Sequence, residues 1–358
     1  MPDDALPVSA DDIDAAWLTR ALSPRFPGVR VRAIEVLERH EVTNSHARLQ
    51  LDYETSAGAP SVMFAKLPPS EPARREQIAR TNMGRREALF YANLAPTVSL
   101  RVPDAYVALH DERDGSFVLL LEDLVTTGGA VSDGTWGIAP DAAAHALEEL
   151  AELHARFEDP ERRAAEAAWV PRAAHGSNYG GTMLRYGLDH HRDRLSDDFA
   201  AVAEMYIDHS EVLHKLWQEG PSTVIHGDPH IGNLFDDHGR AGFLDWGIIN
   251  VSTPMRDVSY FLNMAMSIED RRAHDRELLR LYLDRHEAAG GAEISFDEAW
   301  HAHRIHAAYT VPASCQVVTF PDTATPRRRV FANAFLARAE AALADLEVRS
   351  VLRQTAGL

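Results

Sequence analysis

Between residues 223 and 250 the helical periodicity that fills the second half of this chain breaks down. The segment TVIHGDPHIGNLFDDHGRAGFLDWGIIN carries short apolar runs separated by Gly, Asp, His and Asn, which reads as short strands and loops. Such a stretch must satisfy its own backbone groups, so a helical body can hold it only as a built feature. Polar loops on a rigid scaffold are where sites tend to be placed. Around it the pattern is helical. Residues 141–157 put Leu147, Leu150, His154 and Phe157 on one stripe, and further helices are expected near 181–219, 256–290, 294–319 and 327–348.

The first half reads differently. A short helix at 11–23, with Ile13, Ala16, Trp17 and Ala21 on one face, precedes three strand-like runs, VRVRAIEVLE, ARLQLDY and SVMFAKL. Turn residues at Thr43-Asn44-Ser45 and 56–60 separate them. One Arg- and Glu-rich helix is expected over 72–94, stopped near Pro96. Two more strands, AYVALHD and SFVLLLE, flank Asp114-Gly115, a hairpin signal. The class is therefore α+β: residues 1–124 form an antiparallel five-stranded sheet with one inserted helix, and residues 125–358 are largely helical after a connecting loop at 125–140. No internal repeat or low-complexity segment is present.

Composition narrows the function classes. The chain has 358 residues, 45% hydrophobic and 25% charged, an ordinary globular balance with length for two cores. No apolar run reaches the ~18 residues of a membrane span, and the acidic start MPDDALPVSADDIDAAW predicts no secretory signal. A single cysteine, Cys315, leaves no internal disulfide framework and fits a reducing, cytoplasmic setting. The net charge of −18 repels nucleic acid and favours a cationic substrate only weakly. Oligomeric state is not legible.

Of 36 basic residues only Lys66 and Lys215 are lysines. Lys66 ends the apolar strand VMFAK, where a compact ammonium does what a planar guanidinium cannot. It needs a carboxylate to hold it. Glu87 in the following helix is the first candidate and Glu76, about three turns earlier, the second.

The polar insert carries the chemistry. His226-Gly227-Asp228 is followed by Asn233 and then by Asp245 at the tip of GFLDW, and H-x-D-x-x-x-x-N with a later D-x-G is the kinase catalytic arrangement. A carboxylate must orient the acceptor hydroxyl and receive its proton, the role that suits Asp228. A carboxylate and an amide oxygen must hold Mg²⁺ against phosphates, which suits Asp245 and Asn233. Lys66 reaches the α- and β-phosphates of ATP. Where a phosphate-covering turn is expected the chain offers Thr43, Asn44 and Ser45 instead of glycines. LLLEDL (119–124) ends the last strand and forms the hinge, with adenine on backbone groups from Glu122 to Leu124. His226 is expected to be structural, and Asp257 to brace the next helix.

HGDPHIGNLF, GFLDWG, RDVSYFL and the ELHARF helix resemble the aminoglycoside phosphotransferase and choline kinase superfamily, and the LLLEDL hinge is similar to its ecdysteroid-kinase-like branch. The resemblance spans roughly residues 30–345 and implies a bilobal protein-kinase-like fold, with Asp228 as catalytic aspartate and Asn233 and Asp245 as magnesium ligands. Trp246 stands where protein kinases carry Phe, and Gly227 where they carry Arg, which argues against control by activation-loop phosphorylation.

Two rival classes remain at this level. His226, Asp228, His230 and Asp245 are types that ligate transition metals, as in a metal-dependent phosphoesterase, and a non-catalytic nucleotide-binding pseudokinase would keep the fold alone. The acceptor is a small-molecule hydroxyl of unresolved kind. Trp169, Tyr179, Tyr186, Trp217, Tyr260, Trp300 and Tyr309 could cage a choline-like cation, scattered carboxylates could recognise an aminoglycoside, and the aromatic-rich helical half is compatible with a larger apolar alcohol.

Overall fold

The computed structural model describes residues 5–173, 178–321 and 323–358. The chain forms two compact units, Met1–Ala130 with Leu244–Ile248, and Val131–Phe243 with Ile249–Leu358.

In the first unit α1 (Ala15–Leu22) starts at Asp14, whose carboxylate accepts from the Trp17 N–H at 2.6 Å. Five strands follow, β1 (Arg30–Glu41), β2 (Ser45–Thr55), β3 (Val62–Leu67), β4 (Ala105–His110) and β5 (Phe117–Glu122). They make one antiparallel sheet, as the alternating apolar pattern predicts, and its strand order is β1-β2-β3-β5-β4. Ala47, Leu49 and Leu51 of β2 and Met63, Ala65 and Leu67 of β3 turn one face onto a core with Leu18 and Leu22 of α1. All six residues of β5 are buried, which suits its interior place in the sheet.

The helix expected over 72–94 is broken. It runs as α2 (Pro72–Thr81), α3 (Met83–Leu89) and a π-helical turn at Phe90–Leu94. The break is Asn82, which takes a left-handed conformation at φ 57° and ends α2. Directly after β5, Asp123 caps the single turn α4 (Leu124–Thr127), inside the segment expected to be loop. A two-residue strand, β6 (Ala130–Val131), marks the passage to the second unit.

The second unit is mostly helical: α5 (Pro140–Glu158), α6 (Pro160–Glu166), α7 (Tyr179–His191), α8 (Asp197–Leu216), α9 (Pro254–Ala265), α10 (Ile268–Ala288), α11 (Phe296–His306), α12 (Thr310–Ala313), α13 (Pro326–Asp345) and α14 (Val348–Ala356). The long periodic stretches divide where serines cap new helices. Ser196 accepts from Phe199 at the start of α8, and Ser267 from Asp270 at the start of α10. Phe199, Tyr206, Trp217, Tyr260, Val311 and Phe335 lie in its core. The irregular segment forms β7 (Thr223–Ile225), β8 (Leu234–Asp237), β9 (Arg240–Phe243) and β10 (Asn250–Ser252). β8 and β9 pair antiparallel with Leu234 opposite Phe243, so Asn233 immediately precedes one strand and Leu244 immediately follows the other. No helix among the described residues is long and apolar enough to cross a membrane.

Candidate active site

In the sheet unit the site is built around Lys66. Its Nζ lies 2.7 Å from Glu87 Oε2 and 3.1 Å from Asp245 Oδ1, and the residue is 5% exposed. β3 delivers the lysine between His46 of β2 and Leu119 of β5, and α3 delivers Glu87. Burial opposes the Lys66 charge, but the two carboxylates more than offset it and hold the ammonium above its ordinary value. Burial pushes Glu87 up to about 7 against the opposing pull of Lys66. Glu87 also accepts the Trp246 backbone N–H. Trp246 is fully buried and stacks on Phe90 with ring centres 3.7 Å apart. Glu87 thus binds both the lysine and the 244–248 segment. Glu76 is exposed and pairs with Arg80 at 2.6 Å, so it takes no part.

Asp245 sits at φ 56°, a left-handed conformation that costs roughly 1–2 kcal/mol in a non-glycine residue. Trp246 burial and the Lys66 bond offset it. The turn between β1 and β2 leaves Thr43 exposed, buries Asn44 and starts β2 at Ser45. Asn44 is 3% exposed and its Oδ1 has no hydrogen-bond partner among the described residues. His46, next along, is held neutral: burial, with Lys66 adding to it, lowers its ring to about 3.

Both acids of the expected hinge prove structural. Glu122 is clamped by Arg101 at 2.8 and 3.0 Å and by the Thr127 hydroxyl at 2.7 Å. Asp123 is held by Arg48 through two bonds of 2.8 and 2.9 Å. The Glu122 N–H donates to the Asp104 carbonyl, and the Leu124 carbonyl accepts from Gly128 and Gly129. A base bound along 122–124 therefore has to use other main-chain groups.

In the helical unit the loop after β7 carries Asp228. The N–H groups of His226 and Gly227 donate to the two oxygens of Asp257 at 2.6 and 2.8 Å, and Gly227 takes φ 89°. Asp257, on α9, is fully buried, with His154 Nε2 at 3.4 Å. Burial opposes its ionisation, yet these partners hold its carboxyl below the ordinary range. Asp257 braces the site loop itself, not only its own helix. The His226 Nδ1 accepts from the Asp228 N–H at 3.2 Å, a structural role.

Asn233 Nδ2 donates to the Asp228 carbonyl and to Asp228 Oδ2, both at 3.0 Å. The buried Tyr260 hydroxyl also hydrogen-bonds Asp228, and burial together with that carboxylate holds the phenol well above its ordinary value. His230 Nδ1 accepts from the Gly232 N–H at 3.0 Å, which assigns the ring proton to Nε2, 3.6 Å from Asp228 Oδ2.

For a divalent cation, hard oxygen atoms count. The Asn233 amide nitrogen is committed to Asp228, so its ligating atom is Oδ1. The Asp245 carboxylate is 39% exposed with Lys66 on one oxygen. Both donors suit magnesium. Among the described residues no group of three or more His, Cys, Asp or Glu is disposed to hold a metal, and His226 and His230 each spend one ring nitrogen on a backbone N–H.

Sequence reasoning named Tyr260 only as an aromatic wall residue and missed its bond to Asp228. The signal was present, since Asp257 and Tyr260 are three apart on α9 and share a face. Of the other aromatics Trp217 is core, bonded to the Ile305 carbonyl at 3.1 Å, while Tyr179 and Tyr186 are about half exposed, at 50% and 47%.

The family model described as the phosphotransferase enzyme family matches residues 44–294, well over half of the chain. A comparison with curated proteins gave no significant match. Among solved structures, the GDP complex of aminoglycoside 2′-phosphotransferase-IIIa is 13% identical with TM-score 0.51, covering 92% of this chain and 99% of that one. The macrolide 2′-phosphotransferase of Brachybacterium faecium is 17% identical with TM-score 0.49, over 90% and 97%. The choline kinase of Streptococcus pneumoniae is 14% identical with TM-score 0.48, over 91% and 98%. The first of these likenesses carries the fold, α+β and protein-kinase-like. The superfamily resemblance is borne out; nothing singles out the ecdysteroid-kinase-like branch.

Proposed function

The chain belongs to the phosphotransferase enzyme family, a family of small-molecule kinases, and we propose that it moves the γ-phosphate of ATP, with Mg²⁺, to a hydroxyl of a small molecule. The observation that carries this reading is the clamped lysine. A buried ammonium between Glu87 and Asp245 is a preset partner for phosphate oxygens.

The nucleotide is assigned to residues 1–124 and the acceptor to 125–358. Lys66 binds the α- and β-phosphates and Glu87 holds its amine in place. The turn at Thr43, Asn44 and Ser45 covers the phosphates with backbone N–H groups, and main-chain groups between Glu122 and Leu124 take the adenine. Asn233 Oδ1 and the Asp245 carboxylate are the ligands for Mg²⁺, whose contribution when bound is to neutralise phosphate charge. Asp228 orients the acceptor hydroxyl and takes its proton, its own carboxylate fixed by Asn233 and Tyr260. A cytoplasmic setting and the absence of a nucleic-acid or membrane partner complete the reading.

The test is acceptor-dependent release of nucleoside diphosphate from a panel of alcohols with Mg·ATP. GTP is run beside it, because one structural relative was solved with GDP. Asp228→Asn should lower turnover by about 10²–10⁴-fold while leaving nucleotide affinity within about threefold. Equal turnover by the variant would remove Asp228 from its role, and a wild type that binds no nucleotide would end the kinase reading.

A further inference from the structure

We propose that Arg256 anchors a negatively charged group of the acceptor, so that the alcohol phosphorylated at Asp228 carries a carboxylate or phosphate; the inference rests on the phosphotransfer reading above. Arg256 is the third residue of α9, and its guanidinium lies 3.5 Å over the Tyr309 ring. Tyr309 meets Tyr260 edge to face with ring centres 5.4 Å apart, and Tyr260 hydrogen-bonds Asp228. Two tyrosines therefore lie between a cation and the candidate base, all within the helical unit. Asp228, His230, Arg256 and Tyr309 each keep part of their surface exposed, while Tyr260 beneath them is 2% exposed.

Among the described residues neither a carboxylate nor a main-chain carbonyl is hydrogen-bonded to the Arg256 guanidinium. Arg48, Arg101 and the buried Arg271 are matched to acids, Asp123, Glu122 and Asp345, while Arg163 and the buried Arg338 are held by main-chain carbonyls instead. Among the described residues Arg256 has no Asp or Glu within ion-pair distance, and its Nε is buried without a hydrogen-bond partner. Acids are not scarce in a chain with 54 of them against 36 bases.

A purely structural stack on Tyr309 is the competing account. The stack on the Tyr309 ring occupies one face of the guanidinium. A guanidinium has five N–H donors in its plane, however, and the planar fork left over fits a carboxylate or phosphate edge. Both Asp228 and Arg256 act electrostatically on Tyr260 and Tyr309, in opposite senses, which shows that their fields overlap across the rings.

The pairing of signs also sets direction. The hydroxyl end of an anionic alcohol can approach Asp228, whereas its charged end is repelled there and drawn to Arg256. One binding orientation results. The overall charge of −18 does not decide the matter, because fields beyond a Debye length of about 8 Å are screened at physiological salt.

The experiment is calorimetric binding to the full chain with Mg²⁺ and a non-hydrolysable ATP analogue. The probes are 4-hydroxybutyrate, glycerol 3-phosphate, butane-1,4-diol and choline. At least one of the two anions should bind at least tenfold more tightly than the diol and choline, and which one does so separates carboxylate from phosphate. Arg256→Gln should weaken that anion at least tenfold, Arg256→Lys should keep part of the affinity, and melting curves confirm that both variants fold. Anions bound no better than the diol, or bound equally by Arg256→Gln, overturn the proposal. Anion binding that depends on Arg256, together with no nucleotide turnover for any alcohol, would support the anchor and count against the phosphotransfer reading alone.

Discussion

Lys66 is one of two lysines in the chain, and it is buried where an unpaired charge would cost several kcal/mol. Glu87 and Asp245 remove that cost, but unequally. Glu87 is 3% exposed at its side chain and also holds the Trp246 N–H, whereas the Asp245 carboxylate is 39% exposed. Glu87→Gln should thus leave the ammonium dependent on Asp245, the group proposed to hold the metal. The expected result is a rise of about tenfold or more in the nucleotide KM. Glu76→Gln, which touches only the exposed Arg80 pair, should change stability by about 0.5 kcal/mol or less and KM not at all. Steady-state kinetics on both variants checks this, and equal effects would dismiss Glu87 as the lysine's keeper. This residue-level choice was partly legible: the strand position and rarity of Lys66 pointed to it. Glu87 already stood ahead of Glu76 as the partner, but the break in the helix between them was not legible.

That break belongs to the scale of elements. The composition of 72–94 is helical throughout, and nothing in local propensity marks Asn82 against a plain surface asparagine. Packing decides it. Gly84 lies so close to the Phe117 ring of β5 that an added Cβ would overlap it, so α3 can press onto the sheet only with glycine there. The strands and their antiparallel class were legible because alternation reports one buried face, which β2 and β3 follow closely, whereas the pairing of β3 with β5 was not. The loop that carries Asp228 was legible as spacing, but the buried Asp257 that accepts its two backbone N–H groups comes from a helix about thirty residues on, and only packing could reveal that. Gly84→Ala should force α3 away from β5. We expect a loss of about 1–3 kcal/mol in unfolding free energy and, since Glu87 is three residues further along α3, weaker nucleotide binding as well. Denaturant titration and nucleotide titration read the two separately. Unchanged stability would mean that α3 is not seated on Phe117.

At the scale of the whole molecule the two units should respond differently to acid. In the helical unit burial, with Arg271 adding to it, lowers His303 to about 3; burial, with Arg256 and His303 adding, lowers His306 to about 3. Burial lowers His154 as well. In the unfolded chain such rings take a proton below about 6.5. The folded state refuses that proton until about pH 3, so the unfolded state binds more protons throughout the window. Stability is then complete above pH 6.5 and falls as pH drops, by about 2 kcal/mol for each of His303 and His306 between pH 7 and 5. In the sheet unit His46 shifts the same way, but burial raises Glu87 to about 7, and a raised carboxyl gains stability as pH falls towards its unfolded value. The two offset one another there, which makes the helical unit the acid-labile one. Both ring nitrogens of His303 lack a hydrogen-bond partner among the described residues, so an apolar replacement breaks no bond. His303→Leu should therefore unfold at a similar urea concentration to wild type at pH 7 and lose about 2 kcal/mol less on going to pH 5. A variant with the same pH 7-to-5 loss as wild type would show that His303 already accepts a proton in the folded protein, and that its environment is wetter than its packing implies.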